Sequence, residues 1–182
     1  MFRREGITAK LHSAKGEDGM VDDEELGESP WPPKRVICVG GVVLQGRGAL
    51  LVRQAKGTSL EGQWCIPWGV LEAEETPERG ILREIKEEAS VTAEVEGLIG
   101  IQNLSWQHGI GIIFLCRHIS GEPIGDGKET DRAGYYSLEE IEAWQEVIEP
   151  WCAWIVKRVL QGRYRVIKLE EDNPYRPLAA FS

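Results

Sequence analysis

Apolar residues set out a strand-rich chain. From Val36 to Leu44 nearly every position is apolar or glycine, a run that predicts a strand buried on both faces. Gly40 and Gly41 inside it predict a bulge or a close backbone approach. Gln45-Gly46-Arg47-Gly48 reads as a turn, and Ala49–Arg53 as the second strand of a hairpin. Trp64–Pro67 predicts a short strand, Val91–Leu104 one or two strands, and Ile110–Cys116 a strongly apolar one. A polar, glycine-rich loop follows from Gly121 to Asp131, then a short strand holding Tyr135 and Tyr136.

The spacing changes to a helical one in three places. Thr76 is a good N-cap with Pro77 at the first helical position, predicting a helix to about Ala89. Its residues Ile81, Leu82, Ile85 and Ala89 share one face, which must pack on the sheet. Ser137 starts a second helix, with Glu140 completing a capping box. Leu138, Ile141, Val147 and Ile148 continue at helical spacing. Trp151–Leu160 reads as a third helix, with Gly162 as its C-terminal cap, and Arg165–Leu169 as a last strand. Strands split by one mid-chain helix and followed by helices predict an α+β fold, a mixed sheet with helices on both faces (an α/β/α sandwich).

Residues 1–34 differ. MVDDEELGES, Met20 to Ser29, is acidic and followed by Pro30, Trp31, Pro32 and Pro33. The expectation is an acidic extension, packed on the domain or a partner subunit with Trp31 as anchor. The folded domain then spans 35–182.

Composition narrows the function classes. Of 182 residues, 42% are hydrophobic and 28% charged, as in ordinary globular proteins. Cys38, Cys65, Cys116 and Cys152 are widely spaced without a Cys-x-x-Cys pair, which argues against a zinc ribbon or a disulfide framework. They read as small core residues in a reducing cytoplasm. A net charge of −9 disfavours binding to DNA or RNA backbones. No apolar run is long enough to span a membrane, and the N-terminus lacks the apolar stretch of a secretory signal.

The chemistry lies in Gly69 to Val91, GVLEAEETPERGILREIKEEASV. Glu84, Glu87 and Glu88 stand at i, i+3 and i+4 on a second helix face, so their carboxylates are surface neighbours. Like charges there repel by up to ~0.5 kcal/mol a pair. Arg83 offsets part of this for Glu87 at i+4, with nothing comparable for Glu84 and Glu88. Such a cluster is either a solvated acidic face or a site for a hard divalent cation such as Mg²⁺ or Mn²⁺. The Pro67-Trp68-Gly69 stretch before the helix favours the second, because its backbone turns sharply beside the acids.

This arrangement resembles the Nudix box. Gly69, Glu75, Arg83, Glu84, Ile85, Glu87, Glu88 and Val91 all stand in register with the family pattern. Six of these are fixed residue types; at average usage a chance match is on the order of one in ten million per start position, relaxed perhaps a hundredfold by the chain's glutamate content. Two positions depart. Ser90 replaces the usual glycine after the helix, where a left-handed conformation is often needed, at a cost of ~1 kcal/mol. Trp68 replaces a frequent glycine before Gly69 and either packs under the loop or stacks on a base. The resemblance runs from about Arg35 to Trp144.

The resemblance implies a Nudix fold and hydrolysis of a phosphoanhydride bond. The substrate would be a nucleoside diphosphate linked to another moiety: ADP-ribose, a nucleotide sugar or a nucleoside triphosphate. It implies Mg²⁺, with Mn²⁺ an alternative, held by Glu84, Glu87, Glu88 and the Gly69 carbonyl. Arg83 would orient Glu75 and the helix acids. The resemblance implies a general base at Glu84 or in the loop before the last strand, Glu129 being the choice among Asp126, Glu129 and Asp131. Arg53, Trp68 and Trp106, the last in SWQHG beside His108, are candidate substrate contacts. Two other readings stay open: a non-catalytic nucleotide-binding or regulatory module, disfavoured by the intact acids, and an RNA 5′-pyrophosphohydrolase, disfavoured by the acidic charge. A homodimer is compatible with all three.

Overall fold

The structure, a computed structural model, describes residues 36–104 and 109–168. The expectations for residues 1–34, Trp106 and His108 fall outside them. The described residues form strands β1 (Ile37–Gln45), β2 (Gly48–Gln54), β3 (Trp64–Cys65) and β4 (Trp68–Val70), helix α1 (Pro77–Ala89), strands β5 (Thr92–Leu104), β6 (Gly109–Ser120) and β7 (Thr130–Ser137), and helices α2 (Leu138–Ala143) and α3 (Pro150–Leu160). The sheet runs β3-β2-β1-β6-β5, with β4 also on β1 and β7 also on β2. β1 and β6 are parallel and the other pairings antiparallel, so the sheet is mixed, as expected.

Alternation along the strands divides the core in two. Val39, Val43, Leu50, Val52, Phe114 and Cys116 pack with Ile81, Ile85 and Ala89 of α1. Val42, Ala49, Leu51, Ile113 and Leu115 pack with Cys152, Ile155, Val156 and Val159 of α3. Helices therefore cover both faces. Ile81 and Ile85 are fully buried, each worth roughly 1.5–3 kcal/mol. Their approach requires Gly41, where a Cβ would come within 2.9 Å of Ile81 Cγ1.

The α1 caps match their residues. Thr76 is the N-cap, Pro77 opens the helix, and Ser90 closes it in the left-handed region at φ 59°. Gly162, at φ 69°, follows α3, and the N–H groups of Gly162 and Arg163 satisfy the Val159 and Arg158 carbonyls. All four cysteines are free and buried.

Several elements differ from expectation. The helix opening at Ser137 has its capping box but stops at Ala143. Val147 and Ile148 are not helical: Trp144 turns extended and its ring packs on Trp64 and Tyr136 at 4.8 and 4.4 Å. Residues 147–149 then run beside β3, where Trp64 N–H donates to Val147 O and Glu149 N–H to Trp64 O. β4 was not anticipated, because three residues with a central glycine carry no period. β5 is one strand with register shifts. β6 and β7 are longer than their apolar centres. Of the expected last strand, the described part makes one bridge, Ile167 to Leu98.

Candidate active site

Helix α1 carries the acids, and β4 provides the surface they meet. β4 lies antiparallel to β1, with Gly69 opposite Val39. A Cβ at Gly69 would overlap the Glu84 carboxylate, so only glycine lets the strand backbone lie against that acid. Glu88, one turn on, accepts the Trp68 N–H at 3.0 Å. Both acids are buried, at 6% and 3% exposure.

Burial pushes the Glu84 carboxyl above its ordinary value; Arg83 opposes this, and Glu87 and Glu129 add to it. Burial pushes Glu88 up further, the Trp68 N–H opposes, and Glu84, Glu129 and Cys65 raise it again. The two carboxylates that bear on Glu88, Glu84 and Glu129, both oppose its charge. Two desolvated carboxyl groups near a third acid are relieved by a proton or by a bound cation.

Arg83 organises the entrance. Its Nη2 and Nε contact the two oxygens of Glu75 at 2.7 and 3.2 Å, and its Nη1 contacts Glu84 at 2.7 Å and Glu87 at 3.0 Å. Nη2 also donates to the Val70 carbonyl at 3.2 Å. Hydrogen bonding to Arg83 holds the Glu75 carboxyl below its usual range. The bond to Glu84 corrects the expectation that Arg83 helps only Glu87. Helix spacing says i, i+1 side chains do not face one another; here the long guanidinium folds back to meet both.

The three acids are not equivalent. The Glu87 side chain is 60% exposed, while Glu84 and Glu88 are buried. Among the described residues no three carboxylate, histidine or cysteine side chains converge tightly enough to ligate one ion. The surface trio read from helix spacing is thus a buried pair with a solvent-facing neighbour. A pair suits Mg²⁺, which takes one or two carboxylates and completes its shell with water and phosphate oxygens.

Glu129 precedes β7 and its charge bears on both buried acids. Thr130, fully buried, donates its hydroxyl to the Glu88 carbonyl, tying β7 to α1. Nothing in the sequence singled Thr130 out, since a lone threonine in a polar loop has no signature. Arg53 is not brought to the acids. It shares a strand face with Leu51, and its guanidinium holds Asp131 through two contacts of 2.7 Å.

Trp68 is half-buried and packs on the α3-side core. It also lines a cavity of about 260 Å³, together with Cys38, Cys65, Ile66, Gln102 and Glu149 among others. The cavity adjoins the acids through Trp68, which lines it and whose backbone N–H meets Glu88.

The family model of the NUDIX domain matches residues 34–155. The chain belongs to the Nudix family. A MutT-like protein of Streptomyces ambofaciens is 37% identical over 95 residues, covering 52% of this chain and 59% of that protein. This chain therefore spans less than two thirds of that relative. An ADP-ribose pyrophosphatase of Methanocaldococcus jannaschii is 26% identical over 126 residues, covering 65% and 73%. A Nudix hydrolase structure from Nitrosomonas europaea shares the fold with a TM-score of 0.66 at 22% identity, over 73% of this chain and 74% of that one. The α+β sandwich is thus a Nudix fold, in a family of hydrolases that act on pyrophosphate bonds and use divalent metal. No helix among the described residues is long and apolar enough to cross a membrane.

Proposed function

We propose that this Nudix chain hydrolyses the phosphoanhydride bond of a nucleoside diphosphate linked to a second group, in the class of ADP-ribose, nucleotide sugars or nucleoside triphosphates, with Mg²⁺ or Mn²⁺. The observation that carries this reading is the buried pair Glu84 and Glu88, pressed against Gly69 and Trp68 with Glu129 alongside. An acidic pair so desolvated is costly in a merely structural role.

Glu84 and Glu88 would hold the cation, with the exposed Glu87 as a further acid on the same helix face. A bound divalent ion supplies charge neutralisation for the phosphates and a more acidic water. Arg83 keeps Glu75, Glu84 and Glu87 in fixed orientations. Glu129, in solvent and next to the pair, accepts the proton of the attacking water. The cavity beside Trp68 receives an apolar planar group, with Gln102 and Glu149 as its polar contacts. The ADP-ribose pyrophosphatase among the relatives makes ADP-ribose the first substrate to try.

The test is a panel of ADP-ribose, nucleotide sugars and nucleoside triphosphates with Mg²⁺ or Mn²⁺, read by phosphate release after phosphatase coupling. Chelator-sensitive turnover of one class is expected; no turnover across the panel removes the reading. Glu129→Gln is expected to lose ~10²–10⁴ in kcat. A variant retaining more than about a tenth of the rate excludes Glu129 as base, since base loss costs at least ~10².

A further inference from the structure

The turn 125–130, between β6 and β7, is organised by one carboxylate. Asp126 Oδ1 accepts the backbone N–H groups of Lys128, Glu129 and Thr130 at 3.0, 2.9 and 2.8 Å. Gly127 adopts φ 74° and its N–H donates to Thr130 O at 2.8 Å. Burial alone would raise the Asp126 carboxyl, but these N–H groups outweigh it and hold the group below its usual range. The turn is thus gathered on a charged acceptor, and such bonds are roughly twice as strong as neutral ones.

The Glu129 peptide is fixed at both ends. Its N–H goes to Asp126, and its carbonyl accepts the Ala55 N–H at 2.8 Å. One residue on, the Thr130 hydroxyl accepts the Asp126 N–H at 3.2 Å and donates to the Glu88 carbonyl. The turn is therefore braced against the backbone of Glu88. An exposed, two-glycine turn would otherwise leave the Glu129 side chain free to wander.

We propose that Asp126 is a positioning residue for hydrolysis: by collecting the amides of residues 128–130 it holds the Glu129 carboxylate beside Glu84 and Glu88. This rests on the reading of Glu129 as the base. Asp126 spends its Oδ1 on backbone amides and acts through Glu129.

The test is a cycle of Asp126→Ala, Glu129→Gln and the double variant, assayed on ADP-ribose with Mg²⁺, alongside Asp126→Asn. Asp126→Ala is expected to lower kcat about 10- to 100-fold, the cost of misplacing a catalytic group, with KM nearly unchanged. Asp126→Asn keeps the Oδ1 acceptor and should recover most of the rate. In the Glu129→Gln background, removing Asp126 should cost nothing more. Amide hydrogen exchange on the protein alone should show residues 128–130 losing protection in Asp126→Ala while α1 keeps its own. A slow Glu129→Gln with fully additive losses overturns the positioning role and leaves the base assignment standing. A wild-type rate in Glu129→Gln overturns both. Unaltered exchange at residues 128–130 overturns the proposal whatever the substrate.

Discussion

On the α1 side of the sheet, Glu84 and Glu88 are taken out of water beside a third acid. On the α3 side, separated by little more than the thickness of β1 and β4, Cys38, Ile66 and Cys152 line a cavity of about 260 Å³. The first region confines charge that water would rather solvate. The second leaves an apolar space unfilled, which forgoes contacts but strands no charge. The contrast separates reaction from selection. Under the proposed function the buried acids would serve any pyrophosphate, and the cavity would govern which leaving or nucleoside group fits.

The largest effect that would break this division is on turnover. Glu84→Gln and Glu88→Gln are each expected to lower kcat about 10³-fold, since the metal's transition-state stabilisation is worth several kcal/mol. Retention of the rate in both would show that the desolvated pair is not where reaction occurs.

Arg83→Ala is next, at about 10- to 100-fold in kcat, the usual cost of losing the group that orients ligating side chains. Arg83→Lys should recover little, because one ammonium cannot hold Glu75 on two atoms while meeting Glu84 and Glu87. Full recovery by lysine would mean that charge alone matters.

Filling the cavity sharpens the other half. Gly111, on β6, has only ordinary contacts around an added Cβ, Gln102 Cβ at 3.6 Å being the nearest atom. Gly111→Leu should raise KM about tenfold, the low end of what one small group changes in an apolar pocket, with kcat largely kept. A loss of kcat at constant KM would show that the two regions are not separable.

The smallest effect is on stability. Burial raises the Glu88 carboxyl well above its ordinary 4.5. The metal-free fold thus favours the protonated acid: its contribution is complete below pH 4.5 and is lost as pH rises through the raised value. Glu88→Gln should therefore increase the Tm of chelator-treated protein at pH 7.5, by about 2–4 °C per kcal/mol for a chain this size. The gain should shrink towards pH 4. An equal Tm at pH 7.5 would mean the carboxylate is well solvated.

Much of the fold was legible because its signals are local. Thr76-Pro77 announces the α1 start, Ser137 with Glu140 announces α2, and Ser90 accepts the left-handed cap at α1's end. The hairpin of β1 and β2 reads from two apolar runs and the turn between them. Where a tertiary contact overrides spacing, the reading failed. Val147 and Ile148 fit a helix by period, yet their backbone pairs with Trp64, where the rings of Trp144, Trp64 and Tyr136 pack edge-on and tilted against one another.

In the candidate site, residue types and register came from the sequence alone: Gly69 and Glu75 stand in the strand and loop before one helix, and Arg83, Glu84, Glu87 and Glu88 at its spacing. Spacing along a helix fixes which side chains are neighbours, but not which neighbour another element covers. Only the packing of β4 on β1 buried Glu84 and Glu88 and left Glu87 in solvent. Arg53 turned to Asp131, and Thr130 reached Glu88, by the same kind of decision. Those are contacts between residues far apart in the chain, and their geometry belongs to the sheet and not to any stretch of sequence.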